Sequence, residues 1–245
     1  MIAIRRLATI EEMHACEQLQ QAVWQFSDVA IVPHTVFVVA DKTGGEALGA
    51  FDGERMIGFA LAFPAAHAGR LCLHSHMAAV LPEYQNAGVG RRLKLAQREN
   101  AMERGIEMIE WTFDPLQLRN AHFNIARLGA EVRRYMPDLY GRTTSKLDAG
   151  LPTDRLLAEW WLGSRGVQDT LECGGRKISA AHERIAVPAN ISAIRDSDAQ
   201  EAMEIQSRVR SEFQALLQNS YAVTGFILDE NSGTYLLEPY DSCQE

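Results

Sequence analysis

Leu71-Cys72-Leu73-His74-Ser75-His76-Met77-Ala78-Ala79-Val80, then Leu81-Pro82-Glu83-Tyr84, then Gln85-Asn86-Ala87-Gly88-Val89-Gly90-Arg91-Arg92-Leu93-Lys94 is the stretch on which the reading of this chain turns. Its first part is an apolar run, its middle a short break, and its end places two glycines directly before helix-forming residues. The pattern predicts strand, loop and helix N-terminus. At such a terminus several backbone N–H groups lack acceptors, the helix dipole is positive, and glycine lets a ligand approach the main chain. The predicted chemistry is an anion site, with phosphate as the anion. A Walker loop lacks its lysine and hydroxyl here, and a dinucleotide fingerprint meets Leu93 where its third glycine belongs. A glycine pair used only for close strand-to-helix packing is the competing reading.

Length and composition bound what surrounds this stretch. At 245 residues, with 47% hydrophobic and 23% charged residues, the chain reads as a soluble globular protein built from a core domain and an appendage. No apolar run approaches a membrane span and no signal-peptide core follows Arg5-Arg6, so no membrane partner and a cytoplasmic location are expected. Cys16, Cys72, Cys173 and Cys243 form no C-x-x-C pair, and no histidine stands at metal-ligand spacing from them, so neither a disulfide framework nor a metal site is expected. A net charge of −8 without a lysine or arginine block argues against a nucleic-acid partner. One local basic patch remains at Arg91, Arg92, Lys94 and Arg98, which suits a phosphate-rich small cofactor or a solvated helix face.

Taken in order, Ile2 to Leu7 alternates as a strand, and Thr9-Ile10-Glu11-Glu12 is a capping box for a helix with Met13, Cys16, Leu19 and Val23 on one face. Val32-Pro33-His34 opens a second helix that ends before Gly44-Gly45. Ala47 to Phe51 and Arg55 to Phe63 read as strands joined by Asp52-Gly53. After the organising helix, Gly105 closes it and Ile106 to Phe113 alternates as the next strand, which makes a parallel βαβ unit. Leu116 to Gly129 reads as a helix, and Ala130 to Tyr140 and Asp154 to Leu162 as strands. Gly163-Ser164-Arg165-Gly166 reads as a turn or linker, dividing domain 1–165 from an extension 166–245 with a strand at Glu183 to Val187, a helix at Asp196 to Gln218, and a hairpin of Thr224 to Leu228 with Thr234 to Leu237. An extension this thin needs a surface to pack on, either the first domain or the partner chain of a homodimer.

The Gln85-x-x-Gly88-x-Gly90 loop after a strand resembles the pyrophosphate-binding motif of the GCN5-related N-acetyltransferases, the GNAT superfamily. Phe113-Asp114-Pro115-Leu116, Arg119 to Asn124 and Val223-Thr224-Gly225-Phe226 resemble a bacterial branch of predicted acetyltransferases of unknown substrate. The resemblance implies an α/β (α+β) fold with a mixed twisted sheet flanked by helices. It also implies transfer of an acyl group, usually acetyl, from acetyl-coenzyme A to an amine. On that resemblance Gln85, Asn86, Ala87, Gly88, Val89, Gly90 and Arg91 hold the pyrophosphate, the main chain of Met77, Ala78, Ala79 and Val80 holds pantetheine, and Asn120 is a further cofactor contact. Many members place a tyrosine acid four residues before the glycine of a leucine-glycine pair, here Leu128-Gly129, and this chain has Ile125 there.

Amine transfer needs a base, because an ammonium must lose a proton before it attacks, and the departing thiolate benefits from a proton donor. The candidate bases are Glu110, His74 and His76, with hydrogen-bonded structural histidines and a solvated glutamate as the plain alternatives. Tyr140 and Tyr135 are the candidate acids. The expected function is an acyl-coenzyme A-dependent N-acyltransferase acting on a small amine or amino-acid-like molecule. A non-catalytic acyl-coenzyme A binding or sensing module is the alternative, and a scaffold that binds no coenzyme A is the third reading.

Overall fold

In the computed structural model residues 1–25, 30–141, 150–175 and 183–240 are described. Strand β1 (Ile2–Arg6) leads into helix α1 (Ile10–Trp24), which the hydroxyl of Thr9 starts by accepting the Glu12 backbone N–H at 3.2 Å. The Glu12 carboxylate accepts the Ala8 N–H at 2.7 Å in return, the reciprocal cap that T-x-x-E predicts, taken one residue earlier. Arg5 bonds the same carboxylate and holds it at about 2, well below the usual range. Met13, Cys16 and Leu19 are buried and Val23 is half-buried, as their spacing requires. Helix α2 (His34–Lys42) follows Pro33.

Strands β2 (Glu46–Asp52) and β3 (Arg55–His67) form the expected hairpin, centred one residue later than predicted, on Gly53 at φ +61 and Glu54. Strand β3 runs past the predicted Phe63 to His67 and turns through Ala68 (φ +48) and Gly69 (φ +80) into β4 (Arg70–Val80). Two left-handed residues match the twist of flanking strands, so this second hairpin is tight. Leu61 pairs with Met77 but Ala62 with Ser75, which leaves His76 as the extra residue of a β-bulge. Helix α3 (Val89–Glu103) returns to β5 (Met108–Phe113), parallel to β4 at Leu73↔Ile109 and His74↔Glu110.

The chain divides into two compact units, Met1–Glu110 and Trp111–Glu245, and the division falls inside β5. In the first unit the strand order is β1-β2-β3-β4-β5, antiparallel up to β4 and parallel at the end. Phe37, Phe59, Leu61, Val89 and Leu93 sit in its core with the buried stripe of α1.

In the second unit β6 (Glu131–Met136), β7 (Arg155–Trp161), β8 (Glu183–Pro188), β9 (Tyr221–Leu228) and β10 (Ser232–Pro239) run in the antiparallel order β7-β6-β9-β10-β8. Residues on both sides of 165 share this unit, because β6 pairs with β9 at Val132↔Val223. Three predicted elements change. The helix over Leu116 to Gly129 is a short α4 (Leu118–Ala121) followed by a π-turn, His122–Arg127, in which Leu128 N–H reaches back to Phe123 O at 3.1 Å. The turn at Gly163–Gly166 opens α5 (Arg165–Cys173), since Ser164 caps it by accepting the Val167 N–H. The helix over Asp196 to Gln218 is α6 (Ile191–Ser197) and α7 (Ala199–Gln218), separated at Asp198, whose side chain leaves the helical path to cap Glu201 N–H at 3.0 Å.

Asp154 is the polar centre of this unit. Fully buried, it accepts from Tyr135 OH at 2.6 Å, Asp138 N–H at 2.9 Å, and Arg210 Nε and Nη2 at 2.8 and 2.7 Å. It thereby ties β6 and the turn after it to α7. The α7 stripe closes over the strands, with Ala202, Val209 and Phe213 buried and the Phe213 ring 5.0 Å from Tyr235 and 5.6 Å from Tyr135. Among the described residues no helix is long and apolar enough to cross a membrane.

Candidate functional site

The loop between β4 and α3 starts from a fixed end. Leu81 N–H bonds Ile57 O, Pro82–Tyr84 makes a single 3-10 turn, and the Gln85 amide donates to Val80 O at 3.0 Å, so glutamine ties the loop to the end of its strand. Asn86 (φ +61) and Gly88 (φ +78) are both left-handed, and Gly88 is the N-cap of α3 with no side-chain cap. The first helical bond is Arg92 N–H to Gly88 O, so the N–H groups at the start of α3 have no acceptor from a capping side chain. Buried Val89 anchors the turn in the core.

The packing reading of the glycines fails here. A Cβ on Gly88 would meet nothing within 4 Å, and one on Gly90 would meet only Val80 Cγ2 at 4.0 Å. Gly88 is required by its backbone angle, and space above Gly90 is open. A preorganised, uncapped helix N-terminus with room over it fits a phosphate-bearing group. Met77 and Val80 are half-buried, Ala79 is buried and Ala78 exposed on the strand leading to this loop, beyond the last β4–β5 ladder pair at His74↔Glu110.

On the same unit Glu110 lies between two imidazoles. Its Oε1 is 3.3 Å from His74 Nδ1 and its Oε2 3.5 Å from His67 Nδ1, and its side chain is 15% exposed, enough to meet water. The register partner His74 was predicted, whereas His67 was not, because it arrives through the Ala68-Gly69 turn. His76, the bulge residue, is exposed, with its ring 6.4 Å from His74 and 5.5 Å from Phe63. Desolvation and then the neighbouring His74 lower its basicity below the ordinary histidine value.

Lys94 is not part of a basic patch. It is buried, and its ammonium donates to Ser75 Oγ at 2.7 Å, while Ser75 donates to the buried Gln97. Burial lowers its pKa to about 7, with Glu46 opposing the fall. Because the folded pKa lies below the unfolded one, the unfolded chain binds the extra proton between them. Stability therefore rises with pH above about 7, and the full cost of the buried ammonium is present below it. A Lys94→Met variant is expected to exceed the wild type in stability near neutral pH, and the excess should shrink by roughly 2 kcal/mol between about pH 7 and about pH 9 in urea unfolding. An excess that does not change with pH would mean that Lys94 keeps its ordinary pKa in the folded state and would rule out the lowered one.

In the second unit Asn120 is exposed on α4. Tyr140 is 50% exposed, its hydroxyl 2.8 Å from Thr112 Oγ1 and its ring under Arg155. The Tyr135 hydroxyl donates a hydrogen bond to Asp154, and burial followed by that bond raises its pKa well above the ordinary value, so its hydroxyl is a structural donor. Ile125 is buried in the π-turn. Gly129, at φ +77, is required by packing, since a Cβ there would stand 2.9 Å from Thr170 Oγ1 of α5.

Residues 9–129 match the model of the acetyltransferase (GNAT) family. A search of curated proteins by sequence finds no match. Among solved structures, the chain resembles the ribosomal-protein-S18-alanine N-acetyltransferase from Escherichia coli at a TM-score of 0.54 and 16% identity, over 67% of this chain and 96% of the other. It resembles a putative GNAT-family acetyltransferase from Desulfovibrio desulfuricans at 0.54 and 16%, over 66% and 100%. A putative acetyltransferase from Salmonella typhimurium, solved with its cofactor acetyl-CoA, matches at 0.53 and 18%, over 67% and 95%. At these identities the likeness is one of fold: a mixed sheet flanked by helices.

Proposed function

We propose that this chain, whose residues 9–129 match the model of the acetyltransferase (GNAT) family, is an acyl-coenzyme A-dependent N-acyltransferase acting on a small amine in the cytoplasm. The observation that carries the reading is the uncapped start of α3, with Asn86 and Gly88 left-handed and open space at Gly90. Gln85 to Arg91 would hold the pyrophosphate of acetyl-CoA on backbone N–H groups, and Met77 to Val80 the pantetheine. Asn120 is proposed as a further contact and residues 1–165 as the catalytic domain. When bound, acetyl-CoA supplies an acyl group activated as a thioester.

The chain's own part is proton handling and placement. Glu110 accepts the ammonium proton of the acceptor, directly or through water, and the ring nitrogens of His74 and His67 hold the two oxygens of its carboxylate in place. His76 and Tyr140 are secondary candidates for the base and the acid. A second reading, a non-catalytic acyl-CoA sensor, is favoured by the buried Ile125 at the tyrosine position and by the engagement of Tyr135 with Asp154.

Calorimetric titration with acetyl-CoA tests the cofactor site. Gly90→Glu is the better variant, because Gly88→Glu also forces a side chain onto a left-handed backbone, at about 1–2 kcal/mol. The wild type is expected to bind and Gly90→Glu to lose affinity by about 100-fold or more through bulk and charge. Equal affinities would reject the loop as the binding site. Binding with no thiol release across a panel of amines would leave the sensor reading standing.

A further inference from the structure

Away from the loop and from Glu110, α1 and the start of α2 bring two imidazoles and a carboxylate together. His14 and Glu17 stand three residues apart on α1 and so share a face. His34 is the first residue of α2. Glu17 Oε2 lies 3.3 Å from His14 Nδ1, and Glu17 Oε1 lies 2.9 Å from His34 Nδ1 while accepting the His34 backbone N–H at 2.6 Å. The two rings are 3.6 Å apart, tilted by 30°. One ligand atom from each of the three residues falls within 4.8 Å of the others.

The position of His34 is set by more than this cluster. Buried Gln20, one turn further along α1, clamps the chain two residues before His34, accepting Val32 N–H at 2.8 Å and donating to Val32 O at 2.9 Å. The donors therefore come from one helix face and from a segment bolted to the same helix.

Two imidazoles with one carboxylate suit a borderline divalent ion, zinc foremost. Bonds of about 2.0–2.2 Å at tetrahedral angles separate neighbouring ligand atoms by about 3.3 Å. The nitrogen-to-oxygen spacings here, 3.3 and 2.9 Å, already approach that edge length. These two spacings run to different oxygens of Glu17, so seating a cation requires the loss of ring protons and a closing-in of ligand atoms that now lie within 4.8 Å of one another. His14 is exposed and the other two are half-buried, which leaves an entry path and a position for water.

We propose that His14, Glu17 and His34 form a binding site for zinc or a similar divalent ion, which clamps α1 to the start of α2. None of the three belongs to the loop or to the Glu110 cluster, so the site stands independently of the acyl-transfer reading.

The test uses the full chain without a histidine tag, stripped with a chelator and then titrated with Zn2+ against a chromophoric chelator, and with Co2+ followed by visible absorption. One equivalent is expected to bind, with Co2+ bands of a four- or five-coordinate site. His14→Ala and His34→Ala should each weaken binding by roughly 10-fold or more, and His74→Gln should leave it unchanged. Absence of binding by the folded wild type, or binding of equal strength in both variants, overturns the site. His14 is exposed, so its variant keeps the fold, and that variant alone decides if His34→Ala does not fold.

Discussion

Replacing Glu110 by glutamine is expected to lower kcat for acyl transfer by about 10²- to 10³-fold near neutral pH while leaving acetyl-CoA affinity unchanged. Glutamine keeps the shape and the space between His74 and His67 but cannot accept the ammonium proton. The pH profile separates a base from a packing residue. Above the pKa of the acceptor amine the substrate arrives neutral, the base is dispensable, and the gap between variant and wild type should close. A fall in kcat that persists at all pH values would mean that Glu110 only shapes the site, and a kcat within about twofold of the wild type near neutral pH would remove it from the mechanism. His67→Gln should give a milder, roughly 10-fold loss with the same closure at high pH, because it acts on the carboxylate and not on the substrate.

Asp154→Ala is expected to cost about 3–5 kcal/mol in urea unfolding. The carboxylate satisfies four donors from three parts of the second unit, and its removal leaves Tyr135 OH without its acceptor and Arg210 without its counter-charge. Arg210 keeps a side chain 31% exposed, so water recovers part of the loss and the lower end of the range is the expected value. Asp154→Asn retains acceptance at one oxygen and should lose less. A loss below about 1 kcal/mol for alanine would mean that the apolar contacts of α7, Phe213 above all, hold the helix without the ion pair.

The strand, loop and helix around Gly88 were legible because backbone chemistry alone dictates them: a left-handed glycine, an uncapped turn and a valine anchor leave few alternatives. The first helix was legible for the same reason, since Thr9 and Glu12 cap it locally. What failed to show were contacts made by residues distant in sequence. Lys94 reads as one cation among neighbours on α3, and only the approach of Ser75 and Glu46 reveals it as buried. His67 stands outside the apolar run, although Ala68-Gly69 was a turn signal that could have extended the hairpin to it. His14-x-x-Glu17 was visible as a spacing, but its third partner comes from the next helix. The break at Asp198 shows a side chain competing with the backbone, which apolar periodicity does not register.

The strand order of the second unit sets a timetable for synthesis. Among the described residues strand β8 pairs only with β10, along Glu183↔Leu237 to Pro188↔Ser232, so its partner leaves the ribosome roughly fifty residues later. At about 5–20 residues per second that is a wait of several seconds with an unpaired strand edge, the surface most prone to wrong pairing. In the first unit β1 has a wait of similar length for β2, from Ile2↔Asp52 to Arg6↔Leu48, but every strand pair within that unit is closed once β5 is made. Slowing translation between α7 and β10 should therefore lower the soluble yield of this protein, whereas the same pause placed just after β5 should not.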